Sequence, residues 1–246
     1  IYYPLNMRLP AEWEPQRLVI FTFPRAAGDW GESLHAASAA MVAAANAVQK
    51  VTPVLLIVSD REHFGAYADG YQGKVISLPT DDCWVRDYGP ITVIDKAGKH
   101  IMLDFTFNGW GEKFEATADN EIPKRLQKTL FPNHGYQRVE LVLEGGSIES
   151  DGFGTMLTTT TCLLSDGRNK WRNPEAASQI LRKYFGKKTD VFWLTDGALA
   201  GDDTDAHIDT LARLLDERTI AYVSCEEPTD NHFDSLKEMR KDLRFI

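Results

Sequence analysis

The sequence has few cysteines, no long apolar segment and no excess of positive charge. Its 246 residues include 3 cysteines, 27 lysines and arginines, and 36 aspartates and glutamates, which gives a net charge of -9. Nucleic-acid-binding proteins normally present a basic surface, so this balance argues against a nucleic-acid partner. No apolar run approaches the roughly 18 residues of a membrane-spanning helix, so we expect no membrane partner either.

The cysteines also limit the kind of protein. Cys83, Cys162 and Cys225 are widely spaced and form no CxxC pair and no Cys/His group with metal-ligand spacing. The sequence therefore indicates neither a disulfide framework nor a cysteine-based metal site. The first residues lack the basic and then apolar segments of a secretory signal, although a start at Ile1 leaves a trimmed leader open. We expect a reducing, cytoplasmic location.

Periodicity predicts a mixed α/β protein, and the length of 246 residues allows a sizeable core. We predict strands over 17–23, 54–58, 75–78, 91–94, 101–107, 139–143, 147–149, 155–164, 191–194, 208–215 and 219–224. We predict helices over 31–50, 61–68, 121–130, 174–184 and 233–240.

From residue 91 onward the order strand–strand–helix–strand repeats. Helix starts at Glu121, Pro174 and Phe233 differ by 53 and 59 residues, which is typical of a repeat architecture. The last unit stops after its helix. A missing third strand would leave an open sheet edge, so we expect the natural chain to be longer.

Each repeat opens with a polar cluster at or before its first strand. The clusters are CWVRDYGP over 83–90, LEGGS over 143–147 and DAHID over 205–209. Asp87, Glu144 and His207 are separated by 57 and 63 residues, close to the repeat period. In a closed ring of repeats these residues would converge on one site. Such a site, with Trp84 as a wall, would suit a planar cation such as guanidinium.

His207 and Asp209 lie two residues apart in a segment that we interpret as extended, so their side chains would share one face. A proton-transfer group would then stand beside a cation-binding group. Taken alone, this pair also fits a partly buried histidine satisfied by its neighbour. Likewise, WVRDYGP alone fits a strand-entry turn with Arg86 and Asp87 as a surface ion pair, and EGGS fits a β-bulge.

Five strings carry a resemblance to a known family. They are RLPAEWEP (8–15), WVRDYGP (84–90), FNGWG (107–111), LEGGSIESDGFGTMLTT (143–159) and DDTDAHIDTLAR (202–213). Together they resemble the agmatine deiminase and bacterial peptidylarginine deiminase family, a branch of the guanidino-modifying enzymes. The resemblance implies the pentein fold, an α/β-propeller of five ββαβ units around a pseudo-fivefold axis. Residues 1–246 would then be one domain that lacks the end of the fourth unit and the whole fifth unit.

The resemblance also implies the chemistry, which is hydrolysis of a guanidinium to a ureido group with release of ammonia, without a metal or an organic cofactor. A cysteine thiolate forms a thiouronium intermediate, and a histidine acts as general acid and then as general base. Asp87 and Asp209 would hold the guanidinium from opposite sides. His207 would be the acid and base, and Glu144 would orient it.

Further roles carried over from the family concern the walls of the site. Trp84 would pack against the substrate's aliphatic stem, and Trp110 of FNGWG is a second substrate-binding candidate, at the rim of the site or as an aromatic plug. Gly145 and Gly146 would permit a close backbone approach. The family usually has glycine where this chain has Ala206.

The family's nucleophilic cysteine lies in the fifth unit, which would fall beyond Ile246. Cys162 and Cys225 look like small packed residues, and Cys83 has no evident role. We therefore expect these 246 residues alone to be inactive, and a homo-oligomer stays open.

Several functions remain open. Agmatine would give N-carbamoylputrescine in putrescine and polyamine synthesis, and the absence of an export signal favours it. Its terminal amine needs an acidic partner, for which Glu112, Asp202 and Asp203 are candidates. The alternatives are a peptidylarginine deiminase, an amidinotransferase or dihydrolase, a non-catalytic pentein binding module, and a metal hydrolase that uses Asp87, Glu144, His207 and Asp209 as ligands.

Overall fold

The computed structural model describes residues 7–244 and 246, which form a mixed α/β structure. The predicted domain 1–246 also includes residues 1–6 and 245, which lie outside the described residues. The strands are β1 (Val19–Thr22), β2 (Val54–Val58), β3 (Lys74–Ser77), β4 (Ile91–Ile94), β5 (His100–Thr106), β6 (Gly135–Val142), β7 (Glu149–Ser150), β8 (Thr155–Thr159), β9 (Asp190–Leu194), β10 (Ala212–Asp216) and β11 (Thr219–Tyr222).

Helices connect these strands, and several are a single turn long. They are α1 (Leu34–Gln49), α2 (Arg61–Gly65), α3 (Val85–Tyr88), α4 (Gly109–Glu112), α5 (Ile122–Leu130), α6 (Thr160–Leu163), α7 (Pro174–Phe185), α8 (Ile208–Leu211) and α9 (Phe233–Leu243). Asn173 starts α7 as predicted, because its side chain accepts a hydrogen bond from the amide of Ala176 and Pro174 occupies the first turn.

Two sheets share one topology. In the sheets β4-β5-β6 and β7-β8-β9 the first two strands are antiparallel, and the third joins the second in parallel after a helix. The antiparallel pair β10-β11 followed by α9 begins a third unit of the same kind. The predicted order strand–strand–helix–strand is therefore confirmed for the first two units.

The N-terminal sheet differs because β1, β2 and β3 are all parallel. Its central strand β2 is buried along its whole length, as its unbroken run of Val, Leu and Ile indicates. The alanine-rich helix α1 connects β1 to β2.

The core runs between units. Val93 and Leu103 of one sheet belong to the same buried cluster as Leu163 and Leu181 of the next unit. A second cluster joins Leu157 and Leu194 to residues around α8 and α9. Each fully buried leucine contributes about 1.5–3 kcal/mol relative to an exposed one, so this packing fixes each unit against its neighbour.

Several predicted strands, including 17–23, 147–149 and 219–224, extend beyond the observed ones, and two more run into helical turns. The strand predicted over 155–164 ends at Thr159, whose side chain accepts a hydrogen bond from the amide of Cys162 and so caps α6. The strand predicted over 208–215 begins only at Ala212, because residues 208–211 form the single turn α8. Within the described part of the chain, no helix is both long enough and apolar enough to cross a membrane.

Candidate active site

Three short helical turns meet at one place, each just before the first strand of its unit. They are α3 before β4, the 3-10 turn Gly145–Ser147 before β7, and α8 before β10. The 3-10 turn packs against both α3 and α8. The structure thus brings together Asp87, Glu144 and His207, which lie about one repeat period apart in the sequence.

Gly146 lies at the centre of this arrangement. A Cβ atom added to Gly146 would lie 2.6 Å from Asp87 Oδ1, 2.6 Å from His207 Nδ1 and 2.7 Å from Asp209 Oδ2. At the neighbouring Gly145, an added Cβ would lie 2.1 Å from the carbonyl oxygen of Arg86. Both glycines are needed because any side chain would collide with these groups. Two carboxylates and one imidazole therefore face a single point.

His207 and Asp209 reach this point by a different local structure from the predicted strand. His207 is the N-cap of α8, and Asp209 lies in its first turn. Thr210 Oγ1 donates a 2.8 Å hydrogen bond to the carbonyl oxygen of His207, which holds the turn. The two side chains converge because the chain curls back, not because they share one face of a strand.

Asp87 is held by two donors. The amide of Gly146 donates to Oδ1 at 3.0 Å, and Trp110 Nε1 donates to Oδ2 at 3.0 Å. Asp87 is only 8% exposed. Burial, together with the nearby charge of Asp209, raises the pKa of Asp87 to about 7, although the two donors oppose the rise. Asp87 is therefore not half of a surface ion pair with Arg86.

The two tryptophans occupy different positions. Trp110 is buried and has a left-handed backbone conformation (φ 56°), and its contact with the site runs through Asp87. Trp84 is 51% exposed, and its ring centroid lies 6.0 Å from that of Trp30. Of these two tryptophans, Trp84 is the one that presents an open aromatic surface beside α3.

His207 is 1% exposed and neutral. Burial and the charge of Arg168 lower the pKa of its imidazole to about 3. Its Nδ1 lies 3.5 Å from Asp87 Oδ1, and its Nε2 lies 4.0 Å from Glu144 Oε2. Among the described residues Nε2 has no hydrogen-bond partner. The imidazole is thus uncharged, and its Nε2 is available to a hydrogen-bond partner.

Arg168 is a site residue that the sequence analysis missed. Its side chain is fully buried, and its Nε lies 3.0 Å from both carboxylate oxygens of Glu144. Burial raises the pKa of Glu144, and Arg168 opposes that rise. The polar turn DGRN around Arg168 looks like any exposed turn, so no signal in the sequence identifies it.

Arg86 links Asp209 to the surface. Its guanidinium pairs with Glu12, and its Nε lies 3.8 Å from Asp209 Oδ2. Glu12 also pairs with Arg213. Burial raises the pKa of Asp209, whereas Arg86 and Arg213 lower it, and the net shift is upward. Asp209 is thus incompletely neutralised and remains available to a cation.

One group of side chains in the described residues has spacing suited to a metal ion. Single ligand atoms of Glu144, Cys162 and His207 all lie within 4.8 Å of one another. Arg168 already binds both oxygens of Glu144, so a divalent cation would sit beside a buried positive charge. This charge disfavours a metal hydrolase that uses Glu144 as a ligand.

The three cysteines differ in environment. Burial, and then the charge of Asp82, raises the pKa of Cys83 to about 12, and burial raises that of Cys162 well above its usual value. Cys162 belongs to the buried apolar core, as predicted, and it also lies close to Glu144 and His207. Cys225 follows β11 and is partly exposed. Neither buried thiol is poised as a thiolate.

A cleft of about 720 Å³ lies beside the site. Its walls include β1, Trp84, Arg86 and Gly145, but neither the two aspartates nor His207 lines it in the part of the chain described. Asp202, a candidate for an acidic partner of the substrate, is used internally. Its carboxylate accepts hydrogen bonds from the amides of Thr204 and Ala206.

The profile of a family described as Porphyromonas-type peptidyl-arginine deiminase matches residues 8–246. The chain belongs to this family.

Proteins named agmatine deiminase are similar to nearly the whole chain. One from Stutzerimonas stutzeri (strain A1501) is 35% identical over 232 residues, which cover 92% of this chain and 62% of the relative. One from Pseudomonas aeruginosa (strain LESB58) is 34% identical over 211 residues, or 83% of this chain and 56% of the relative. The chain thus spans less than two thirds of the length of these relatives.

Solved structures agree with this membership. A Cys-to-Ser variant of C. jejuni agmatine deiminase with substrate bound has a TM-score of 0.91 and 36% identity, over 97% of this chain and 71% of that one. An agmatine deiminase of Enterococcus faecalis has a TM-score of 0.89 and 30% identity, over 98% of this chain and 67% of that one. The mixed α/β fold is therefore that of the agmatine deiminases.

Proposed function

We propose that the protein hydrolyses a guanidinium group, with agmatine as the substrate and N-carbamoylputrescine and ammonia as the products. The observation that carries this proposal is the convergence of Asp87, Asp209 and His207 on the point above Gly146. The relatives named agmatine deiminase support agmatine as the substrate.

The electrostatics of the site support a cationic substrate. The raised pKa of about 7 at Asp87 reflects burial and the nearby Asp209. A guanidinium between the two carboxylates would relieve this repulsion, and its planar N–H groups match the geometry of carboxylates. The exposed ring of Trp84 is available to the aliphatic stem.

In the proposed reaction His207 moves protons. A thiol passes its proton to the neutral imidazole, and the resulting thiolate attacks the guanidinium carbon. The imidazolium protonates the leaving amino group, the C–N bond breaks to release ammonia, and a covalent thiouronium remains. Water then loses a proton to His207 and attacks the same carbon. The C–S bond then breaks, His207 returns its proton to the departing thiolate, and the ureido product leaves as its hydroxyl proton passes to the ammonia.

The attacking thiolate must be an accessible one. Cys83 and Cys162 are buried with raised pKa values, and Cys225 lies beyond β11. We therefore expect the nucleophile from residues other than these 246, and we expect these residues alone to bind but not to turn over substrate. A free thiol persists most readily in a reducing compartment, which supports the cytoplasm as the location.

The finer description of the fold is also part of the proposal. The repeated sheets β4-β5-β6 and β7-β8-β9, and the pair β10-β11, support ββαβ units arranged around a pseudo-fivefold axis. In such a pentein the turn before each unit points to the axis. Residues 1–246 would belong to one such domain.

Peptidylarginine is the second candidate substrate, because the matching family is described as a peptidyl-arginine deiminase family. Ammonia release by the complete natural gene product from agmatine and from a peptide with an internal arginine separates the two. We expect turnover of agmatine alone. Turnover of the peptide alone would keep the chemistry and overturn the substrate, and turnover of neither would contradict the proposed function.

A further inference from the structure

Arg168 joins three segments that surround His207. Its side chain has no exposed surface. It donates from Nε to both oxygens of Glu144 at 3.0 Å, from Nη1 to Asp205 Oδ2 at 2.7 Å, and from Nη2 to the carbonyl oxygen of Thr204 at 3.0 Å. Nη1 also donates to Ser165 Oγ at 2.7 Å. One guanidinium thus ties the turn before β7 to the loop that leads into α8.

The loop that leads into α8 is strained. Asp205 and Ala206, the two residues before His207, have φ values of 65° and 63°, which residues other than glycine rarely adopt. Such strain persists only where surrounding contacts fix the backbone. Arg168 supplies two of these contacts, at Thr204 and Asp205.

The other side of the loop is held from the surface. Lys113 Nζ lies 2.5 Å from Asp205 Oδ1, on the carboxylate whose second oxygen pairs with Arg168. Lys113 directly follows α4, which also carries Trp110. The guanidinium of Arg168 is therefore the buried end of an ionic chain that reaches solvent through Asp205.

We propose that Arg168 is a positioning residue, which holds Glu144 and the loop at 204–205 so that the imidazole of His207 faces the guanidinium carbon. It touches neither the substrate nor the reacting atoms, and it acts through Glu144 and His207. This inference rests on the proposed function and deepens it.

The charge of Arg168 also acts on His207. After burial, it is the largest cause of the lowered pKa of the imidazole. Other charged groups face His207 or act on it from the surrounding elements, and all of them remain in an Arg168 variant: Arg86, Asp87, Glu144, Asp202, Asp205 and Asp209. Removing the guanidinium therefore leaves a net negative surrounding, which favours protonation of the imidazole.

The test compares Arg168→Met and Arg168→Lys with Arg138→Met in the complete gene product. Arg138 is a matched control, because it also pairs with a buried carboxylate, Asp104, at 2.8 Å, but in a different cluster. Three quantities are measured in each variant. They are kcat for agmatine, KM for agmatine, and the protonation of the His207 ring between pH 5 and 8 by nitrogen-15 NMR.

For Arg168→Met we expect a loss of about 100-fold in kcat with KM changed much less, because the acid–base group is misplaced whereas Asp87 and Asp209 are not. The His207 ring should begin to titrate in this pH range, although it stays neutral in the natural protein. Arg168→Lys should keep the ring neutral and still lose kcat, because an ammonium cannot reproduce the fork of hydrogen bonds. Arg138→Met should change neither kcat nor the titration of the His207 ring.

A kcat within twofold of the Arg138→Met control, with an unchanged His207 titration, would overturn the inference. If Arg168→Met fails to fold, Arg168→Lys decides, and a kcat within twofold of the natural protein overturns the inference. If the natural protein releases no ammonia from agmatine, the proposed function fails. The His207 titration then still tests whether Arg168 controls the imidazole.

Discussion

The amide of Gly146 donates a 3.0 Å hydrogen bond to Oδ1 of Asp87, across the boundary between two repeat units. The same glycine leaves room for His207 and Asp209, which crowd the position of its missing side chain. Gly146 therefore both orients one carboxylate and makes space for the site.

Replacing Gly146 with alanine should remove activity. The added methyl would lie under 3 Å from three functional atoms, so the site must open. We expect the free energy of unfolding to fall by about 1–3 kcal/mol, and agmatine binding to be lost. Gly65→Ala is the control, because nothing lies within 4 Å of its added Cβ. Titration calorimetry and chemical denaturation measure both effects, and normal agmatine binding by Gly146→Ala would contradict the site geometry.

Replacing Trp110 with phenylalanine tests its role as a donor. The change keeps an aromatic ring but leaves Asp87 Oδ2 without the indole N–H, which helps to lower the pKa of Asp87. We expect the pKa of Asp87 to rise and KM for agmatine to increase by about tenfold to hundredfold, as for loss of one hydrogen bond to a charged group.

The matched control for Trp110 is Trp193→Phe, because Trp193 Nε1 donates to Ser178 Oγ at 2.9 Å in a different unit. Steady-state kinetics should show no change in KM for this variant. Equal KM changes in the two variants would show that the effect is general destabilisation, and would contradict the donor role of Trp110.

Agmatine binding should depend on pH through Asp87. The pKa of Asp87 is about 7, so its carboxylate is charged above this pH and protonated below it. The guanidinium stays charged throughout, so affinity should rise about tenfold per pH unit from pH 5 to 7 and level off above. Calorimetry in buffers of different ionisation enthalpy should show proton release below pH 7. A binding midpoint near pH 4 would contradict the raised pKa.

The sequence predicts the units of the fold better than the turns between them. The buried run of β2 and the capped start of α7 carry local signals, and both are observed where predicted. The turn at His207 has no such signal. Thr210 holds the turn locally, but the strained loop before it is fixed by hydrogen bonds from Arg168 to Thr204 and Asp205, and these contacts are tertiary.

Some residues of the site could likewise be predicted from the sequence, and others could not. Asp87, Glu144 and His207 recur at the repeat period, so their meeting could be predicted. The role of Arg168 could not be predicted, because it depends on hydrogen bonds to Glu144 and Asp205, which lie 24 and 37 residues away in the chain. The indole of Trp110 likewise reaches Asp87 only through the left-handed bend of α4.

Removal of metal ions should leave activity intact. The guanidinium of Arg168 already binds the carboxylate of Glu144. Its positive charge disfavours a divalent cation in the cluster of Glu144, Cys162 and His207. We expect ammonia release from agmatine to be unchanged after dialysis against a chelator and on return of Zn²⁺ at a concentration equal to that of the protein. Loss of activity on dialysis and its recovery with the metal would instead support a metal hydrolase.

In the proposed reaction His207 transfers protons, whereas Asp209 binds the guanidinium. Ammonia release and agmatine binding, measured together for the complete gene product and its His207→Ala and Asp209→Asn variants, test these roles directly. We predict that His207→Ala binds agmatine but releases no ammonia, whereas Asp209→Asn loses binding by at least tenfold. Ammonia release by His207→Ala at the natural rate, or unchanged agmatine affinity in Asp209→Asn, would contradict the account.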